Sequence, residues 1–257
     1  MQRADVEGQF DLTGRVAIVT GASRGIGFSL AAAFAAQGAS VVITSRKPDD
    51  CDQAVARIEA DGGEALAVPT HMGDLDALAA LVATSVDRFG AIDILVNNAA
   101  NALALPVPDI TPEAWAKSFD VNLRGPFFLF QACLPHLLAS EHAAVLNVIS
   151  SGAYMNTPGQ IMYGGAKAGL LHTTRALAAA YSPQGIRVNA LAPGTTDTKM
   201  VRNLGDEAAE GMKLVSYLGR LAHPDEMIGA ALLLVSDAGS YITGQSIIVD
   251  GGCIPAR

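Results

Sequence analysis

Three glycines between a short apolar run and an alanine-rich stretch constrain the fold of this chain more than any other feature. Residues 19–30 read VTGASRGIGFSL, with Gly21, Gly25 and Gly27 as the three glycines. The run VAIV at 16–19 has no polar face, which is typical of a strand buried on both sides. The stretch after the glycines lacks proline up to Gly38, which predicts a helix. The glycines therefore predict a tight strand-to-helix turn.

Such a turn is suited to binding a phosphate. Glycines let backbone N–H groups approach the phosphate, and the amino end of the helix adds positive potential. A glycine-rich loop without a ligand is the alternative. Because the spacing differs from the standard G-x-G-x-x-G pattern, the turn alone indicates a nucleotide and nothing narrower.

The rest of the chain repeats the strand–helix order. Strands are predicted at 15–20, 40–45, 64–69, 92–96, 143–149, 186–191 and 246–249, and helices near 25–38, 49–61, 74–89, 112–139, 162–182 and 224–236. This alternation predicts an α/β fold, a single-domain Rossmann-type doubly wound parallel sheet of seven strands with helices on both faces. We expect this domain at 10–257, after an N-terminal extension at 1–9. The polar stretch 195–222 follows a strand, so we expect it to form a mobile substrate lid.

Charge and composition argue against several classes of partner. The net charge of −8 at pH 7 makes nucleic acid and anionic membranes poor partners. No apolar run reaches the roughly 18 residues of a membrane span, and the first residues lack the apolar core of a signal peptide. The three cysteines are far apart, without metal-ligand spacing or a disulfide framework. We therefore expect no metal site and a reducing, cytoplasmic location.

Two arginines predict which dinucleotide binds. The second predicted strand ends in Ser45-Arg46-Lys47, where the adenosine ribose of a dinucleotide should lie. An acidic side chain there would bind a free 2′-hydroxyl, whereas arginine suits a 2′-phosphate. Arg24 lies in the glycine turn and can reach the same phosphate, so the two arginines predict NADP(H) as the cofactor. The alternative is that both are ordinary solvated side chains.

A tyrosine and a lysine four residues apart predict the acid–base chemistry. On a helix, Tyr163 and Lys167 lie on one face, although such a pair alone is usually a surface pair. A free tyrosine has a pKa near ~10, and lowering it by about three units takes roughly 4 kcal/mol. An adjacent ammonium and an oxidised nicotinamide ring could supply that energy. Ser150 follows an apolar strand, where its hydroxyl could bind a substrate carbonyl; Ser151 is the alternative.

Together these motifs resemble the short-chain dehydrogenase/reductase family over about residues 10–252. The matches, in the family's order and spacing, are Thr20-Gly21-x3-Gly25-x-Gly27, Asn97-Asn98-Ala99, Asn122, Ser150, Tyr163-x3-Lys167 and Pro193-Gly194. The resemblance implies an NADP-dependent enzyme that transfers a hydride between the nicotinamide and a carbonyl or secondary alcohol. It also implies a homotetramer, with a dimer as the alternative, and the apolar predicted helices 112–139 and 162–182 fit such an assembly.

The resemblance implies roles for the matching residues. Tyr163 is the implied general acid/base, Ser150 orients the carbonyl, and Lys167 binds the nicotinamide ribose and lowers the pKa of the phenol. Asn122 is implied to support a proton-relay water. Asn98 and Ala99 would line the ribose side, and the segment from Pro193 would hold the carboxamide and pyrophosphate. The full set of expected cofactor contacts is Gly21, Ser23, Arg24, Gly25, Ile26, Gly27, Ser45, Arg46, Lys47, His71, Met72, Asn98, Ala99, Ala100, Tyr163, Lys167, Pro193, Gly194, Thr196 and Thr198.

Two positions depart from the family's pattern. Ala100 stands where the family often has glycine, and its methyl group would crowd the nicotinamide side. His71 stands where an aspartate usually contacts the adenine. Its imidazole could hydrogen-bond the adenine edge, or it could be an ordinary loop histidine.

The expected surroundings of the substrate are mostly apolar. The predicted substrate contacts are Ser150, Tyr154, Met155 and Tyr163, within a wall formed by 102–105, Ile161 and Met162, each of which could also be plain core. This set predicts a neutral, fairly apolar ketone, aldehyde or dicarbonyl, and parts of the chain resemble the family's carbonyl-reductase branch. The first alternative is a reductase of 3-oxoacyl thioesters of CoA or acyl carrier protein, although 140–143 and 176–181 offer few basic side chains for an acidic partner. A non-catalytic nucleotide-binding protein is the second alternative, and the intact catalytic residues argue against it.

Overall fold

One sheet of seven parallel strands forms the centre of the molecule. A computed structural model describes residues 2–155, 158–203 and 205–254. The sheet has the order β3-β2-β1-β4-β5-β6-β7. Its strands are β1 (Val16–Thr20), β2 (Ser40–Thr44), β3 (Glu64–Ala67), β4 (Ile94–Asn97), β5 (Ala144–Val148), β6 (Arg187–Pro193) and β7 (Ser246–Val249). The predicted seven-stranded, doubly wound parallel sheet is confirmed.

Helices cover both faces of this sheet. They are α1 (Arg3–Glu7), α2 (Gly25–Ala36), α3 (Pro48–Ala60), α4 (Leu75–Phe89), α5 (Pro112–Phe119), α6 (Gly125–Ala139), α7 (Ile161–Tyr181), α8 (Lys199–Arg202), α9 (Asp206–Lys213) and α10 (Ile228–Val235). One core packs α2, α3 and α10 against the sheet, and the other packs α4, α6 and α7. In β1, Ala17 and Val19 belong to the first core and Ile18 to the second. Burial on both faces explains why this strand shows no polar alternation.

The prediction of one continuous helix at 112–139 is wrong, because the structure divides this stretch. A π-helical turn at Asp120–Arg124 separates α5 from α6. Such turns have a wider repeat and are frequent at functional sites. Gly125 begins α6 directly against the Met72 carbonyl, where a Cβ atom would overlap the backbone. This close crossing fixes the place at which the helix changes its path.

The predicted lid leaves the sheet after β6 and returns to its starting point. The Asp197 N–H donates to the Ala222 carbonyl at 2.8 Å, and the Ala222 N–H donates to Thr195 at 3.0 Å. Between these ends lie α8, α9 and an exposed apolar stretch at 214–218; Leu204 lies outside the described residues. The boundaries of the domain and the mobility of the lid stay predictions.

The part of the chain that the structure describes lacks a candidate membrane-spanning helix and a metal-binding cluster. No helix there is long and apolar enough to cross a membrane. Within the same ranges, no group of three or more His, Cys, Asp or Glu side chains is placed to hold a metal ion. In the predicted N-terminal extension, α1 is exposed along its whole length.

Candidate active site

The glycine turn lies at the carboxyl ends of β1 and β4, where the sheet order reverses. The Asn98 amide donates to the Thr20 carbonyl at 2.8 Å, and the Thr20 hydroxyl accepts from the N–H groups of Asn98 (2.9 Å) and Ala99 (3.0 Å). Ligands of doubly wound sheets bind at such a switch point. The Asn98 side chain therefore braces the turn, and its predicted contact with a ribose stays a prediction.

The three glycines leave this turn without side chains where the chain is most crowded. Gly21 and Gly25 have φ angles of +65° and +56°, in the left-handed region that favours glycine. A Cβ atom on Gly21 would lie 2.9 Å from the Ala99 Cα, and one on Gly27 would lie 2.5 Å from the Gly21 carbonyl oxygen. The bare turn opens onto the first N–H groups of α2, a helix of 12 residues. This cradle fits a dinucleotide phosphate.

Gly27→Ala is expected to destabilise the protein by about 1–3 kcal/mol and to weaken dinucleotide binding, because the new methyl group overpacks the turn. Thermal unfolding and calorimetric titration with a dinucleotide measure the two effects. Gly229→Ala is the matched control, since a Cβ at that position in α10 meets nothing within 4 Å. The control should raise stability by roughly 0.5–1 kcal/mol. Wild-type unfolding and binding in Gly27→Ala would contradict the steric argument.

The predicted phosphate-binding cations lie at the end of β2 and in the glycine turn. Arg46 and Lys47 are exposed and form no ion pair with any residue that the structure describes. Arg24 is paired, because its Nη1 lies 3.1 Å from the Asp50 Oδ2 in the first turn of α3. Asp50 was not predicted as a site residue; the signal that could have found it is the acidic pair that follows Pro48 at the start of a helix.

His71 and Met72 have different environments. The Thr70 N–H donates to the Ser45 carbonyl at 2.8 Å, which joins this loop to the end of β2. The exposed His71 accepts the Gly73 N–H at Nδ1 over 3.0 Å, so its Nε2 carries the proton and remains a donor. Met72 is buried in the core. The adenine contact of His71 stays a prediction, now with Nε2 as the donor.

The structure brings Ser150 and Tyr163 together beyond the end of β5. Ser150 accepts the Gly152 N–H at 3.0 Å, which fixes its side chain at the start of a 3-10 turn. Tyr163 lies half-buried in the first turn of α7. The Ser150 hydroxyl is hydrogen-bonded to the phenol and partly opposes the rise that burial causes in its pKa, whereas Ser151 is buried. Of the two serines left open by the sequence, Ser150 is the one next to Tyr163.

Lys167 is buried beneath this pair, with 1% of its surface exposed. Its Nζ donates to the Val148 carbonyl at 2.8 Å and lies 5.8 Å from the centre of the Tyr163 ring. Burial lowers the pKa of the ammonium to about 7, because the charged form loses its hydration. A lysine buried against a carbonyl is an unusual placement, and it makes Lys167 a candidate functional group.

The expected low pKa of Tyr163 is not found in the cofactor-free protein. Burial raises the pKa of its phenol above the ordinary value, and the Ser150 hydroxyl opposes only part of this effect. The sequence shows the charge of Lys167 but not the loss of water around the phenolate. A lowered phenol pKa therefore stays a prediction for the cofactor-bound enzyme alone.

Asn122 lies in the π-helical turn and is fully buried. Its amide donates to the Asn101 carbonyl (2.9 Å) and the Ser118 carbonyl (2.8 Å). Asn101 in turn donates to the Lys117 carbonyl at 2.9 Å. The Asn122 side chain therefore holds the loop after β4 against α5, and the relay water stays a prediction. Asn101, which sequence analysis missed, is its main partner.

The start of the predicted lid lies over the glycine turn. A Cβ atom on Gly25 would lie 3.3 Å from the Thr198 Cγ2, which brings two predicted cofactor segments together. Gly194 passes so close to β7 that a Cβ atom there would lie 2.6 Å from the Asp250 Cα. Thr196 is buried and donates to the Gly194 carbonyl at 3.1 Å. Its hydroxyl thus stabilises the turn after β6.

On the expected substrate side, Tyr154 and Met155 are half-buried. The Met155 Sδ lies 3.6 Å from the Cys253 Sγ, so the C-terminal turn reaches this wall, a neighbour that the sequence did not indicate. Ile161 is 46% exposed, whereas Met162 is 1% exposed. Met162 is therefore core rather than pocket wall, as the alternative interpretation held.

Known proteins resemble this chain over nearly its whole length. Residues 21–253 match a family model described as Enoyl-(Acyl carrier protein) reductase. The human protein Dehydrogenase/reductase SDR family member 4 is 39% identical over 249 residues, which cover 96% of this chain and 89% of that protein. The 3-oxoacyl-[acyl-carrier-protein] reductase of Synechocystis is 39% identical over 245 residues, or 95% of this chain and 98% of that protein.

A solved structure shows the same likeness in three dimensions. The gluconate 5-dehydrogenase of Burkholderia cenocepacia, in complex with NADP and tartrate, superposes with a TM-score of 0.92 at 32% identity. The superposition covers 98% of this chain and 100% of that chain. The fold is therefore shared over the whole length of the neighbour.

Proposed function

The chain belongs to the short-chain dehydrogenase/reductase family, and on this premise we propose that it is an NADP(H)-dependent oxidoreductase acting on a fairly apolar small carbonyl or secondary alcohol. One observation carries the proposal. Ser150, Tyr163 and the buried Lys167 lie at the carboxyl ends of the strands, on the same side of the sheet as the glycine turn. The NADP complex of the gluconate 5-dehydrogenase supports the class of cofactor.

Separate parts of the chain would hold the cofactor. The glycine turn and the amino end of α2 would bind the pyrophosphate, Arg24 and Arg46 the 2′-phosphate, and Lys167 the nicotinamide ribose. The segment from Pro193 to Thr198, folded over Gly25, would close the carboxamide side. When bound, the nicotinamide supplies or accepts the hydride.

Tyr163 would donate the proton, and Ser150 would bind the carbonyl oxygen. In reduction, the Tyr163 hydroxyl gives its proton to this oxygen as the carbonyl carbon receives the hydride, and the Ser150 hydroxyl donates a hydrogen bond to the same oxygen. A raised phenol pKa keeps Tyr163 protonated at neutral pH, which favours this direction. Oxidation needs the phenolate, which a charged Lys167 would stabilise.

The experiment that tests the proposal is NADPH consumption by the purified protein. The substrate panel contains diketones, aromatic ketones, retinoid-like aldehydes and acetoacetyl thioesters of CoA and acyl carrier protein. We expect turnover with neutral, apolar carbonyls. A protein that binds NADPH tightly but reduces none of these would support the non-catalytic alternative instead.

A second candidate function is the reduction of 3-oxoacyl thioesters. It is favoured by the 39% identity to the Synechocystis reductase. An acidic carrier protein would need exposed cations near the site. Arg124, at the end of the π-helical turn, is already paired with Asp120 at 3.3 Å, which argues against this candidate. A higher kcat/KM for acetoacetyl-acyl carrier protein than for any diketone would establish this candidate over the first.

Arg46→Asp is expected to reduce the ratio of NADPH to NADH efficiency by about tenfold or more, because a charge-assisted contact with phosphate contributes roughly 1.5–3 kcal/mol. The measurement is kcat/KM for both cofactors at one carbonyl concentration. Arg175, exposed on α7, offers Arg175→Asp as a control with the same change of charge. An unchanged ratio in Arg46→Asp would remove Arg46 from the phosphate site.

We also propose a homotetramer. Trp115, Phe127 and Leu138 are exposed on α5 and α6. Phe127 also lines a cleft of about 260 Å³, together with Phe119, Leu123, Arg124 and Thr173. Ile248 is exposed on the edge strand β7, which could pair with a second copy. Light scattering should therefore give four times the chain mass of 26.5 kDa. A stable monomer at micromolar concentration would contradict this prediction.

The proposed location is the cytoplasm. Cys51, Cys133 and Cys253 are free thiols, which fits a reducing compartment. Fractionation of cells that express the protein measures this directly.

A further inference from the structure

Helix α3 places a carboxylate against one of the two arginines that are expected to bind the adenosine 2′-phosphate. Asp50 lies in the first turn of α3, six positions after the last residue of β2, and pairs with Arg24 over 3.1 Å. The sequence suggested only cations around this pocket. The fold adds an acidic group to one of the two arginines that the proposed function assigns to the 2′-phosphate.

The start of α3 is fixed against the end of β2, so Asp50 has little freedom to move away. The next residue, Cys51, is fully buried, and its thiol lies 3.5 Å from the Ser45 hydroxyl. The Cys51 N–H also donates to the Lys47 carbonyl at 3.2 Å. The Asp50 side chain is 33% exposed, against 54% for Arg24, so the carboxylate is the less exposed partner of the pair.

From this arrangement we propose that Asp50 is a specificity-determining residue that weakens the preference for NADP(H) over NAD(H). This inference rests on the proposed function. A 2′-phosphate carries close to two negative charges at neutral pH and would meet the Asp50 carboxylate as well as Arg24. A free 2′-hydroxyl, by contrast, can donate a hydrogen bond to the carboxylate. Asp50 therefore opposes one cofactor and favours the other.

The expected size of the effect follows from the exposure of the pair. Like charges within the Debye length of about 10 Å at 0.1 M salt repel each other, and most of that repulsion is screened at 1 M. Removing the charge also releases the Arg24 guanidinium for the phosphate. We expect Asp50→Asn to tighten NADP⁺ binding about three- to tenfold at 0.1 M salt, with a smaller gain at 1 M.

The test is isothermal titration calorimetry of the whole protein with NADP⁺, NAD⁺ and adenosine 2′,5′-bisphosphate, which needs no turnover. Asp52→Asn is the matched control, because it removes the same charge from an exposed residue about 200° further round the helix. The ratio of the NAD⁺ to the NADP⁺ dissociation constant should rise three- to tenfold in Asp50→Asn, and adenosine 2′,5′-bisphosphate should bind tighter. Asp52→Asn should stay within twofold of wild type.

Each other outcome overturns the inference in a defined way. Weaker NADP⁺ binding in Asp50→Asn would mean that Asp50 holds Arg24 ready for the phosphate. An unchanged ratio, or an equal gain in Asp52→Asn, would leave Asp50 without a specific role while NADP⁺ binding and carbonyl reduction by the wild type still support the proposed function. Binding of neither dinucleotide to the wild type would overturn the proposed function and this inference together.

Discussion

Tyr163→Phe is expected to lower carbonyl reduction by at least the roughly 10²–10⁴-fold that a general acid contributes. The variant loses one hydroxyl and almost no volume, so the fold should be retained. Cofactor affinity should also be retained, because the glycine turn, Arg46 and Lys167 are unchanged. The measurement is kcat with a carbonyl that the wild type reduces, together with the dissociation constant of NADPH.

Tyr181→Phe is the matched control for this substitution. Tyr181 lies at the other end of α7, where its ring packs edge-on against Phe130 with the ring centres 5.4 Å apart. Loss of its hydroxyl should leave turnover within about twofold of wild type, since it is far from the expected proton path. Near-normal turnover in Tyr163→Phe would mean that the carbonyl oxygen receives its proton from another group.

The pKa of Tyr163 provides a second test of its assignment as the general acid. Burial raises the pKa of the phenol, so in the cofactor-free protein the phenolate absorbance that disappears in Tyr163→Phe should develop above pH 10. Binding of the oxidised cofactor should lower this pKa, because the positive nicotinamide ring favours the phenolate. The rate of reduction, which needs the protonated phenol, should therefore not fall at neutral pH. The rate of oxidation should increase as the pH rises.

The fold was predictable because its signals are local. Each central strand is buried on both faces, so it appears as an unbroken apolar run such as that of β1. The glycine turn is equally local, since the φ angles of Gly21 and Gly25 are required within a few residues of the strand. The π-helical turn was missed because the contacts around it, of Asn122 with Asn101 and of Gly125 with Met72, join residues that are far apart in the sequence.

The parts of the site that the sequence did not predict depend on contacts between residues far apart in the chain. Asp50 reaches Arg24 across 26 positions, and Cys253 reaches Met155 across 98 positions. The sequence shows these residues but not that they pair, because such contacts arise only when the helices pack on the sheet. The pKa of Tyr163 was missed for another reason: a sequence shows neighbouring charges on a helix, but the loss of water around the phenol depends on burial.

Lys167→Met is expected to lower turnover and cofactor affinity together, each by about tenfold or more. The loss of one charge-assisted hydrogen bond to the ribose is worth roughly 1.5–3 kcal/mol, and the phenolate loses its stabilising charge at the same time. Methionine fills most of the volume of the buried lysine, so a cavity is not the cause. Lys117→Met, at an exposed site on α5, removes the same charge as a control.

Stability as a function of pH provides a readout of Lys167 that does not depend on activity. Its folded-state pKa is lowered to about 7, so the unfolded chain binds more protons than the folded one from that pH up to the ordinary lysine value near ~10.4. The free energy of unfolding should therefore rise with pH across this window in the wild type relative to Lys167→Met. Equal pH slopes in the two proteins would mean that the buried amine keeps an ordinary pKa. Reduced turnover with unchanged cofactor affinity would confine Lys167 to its effect on Tyr163 and remove it from the ribose site.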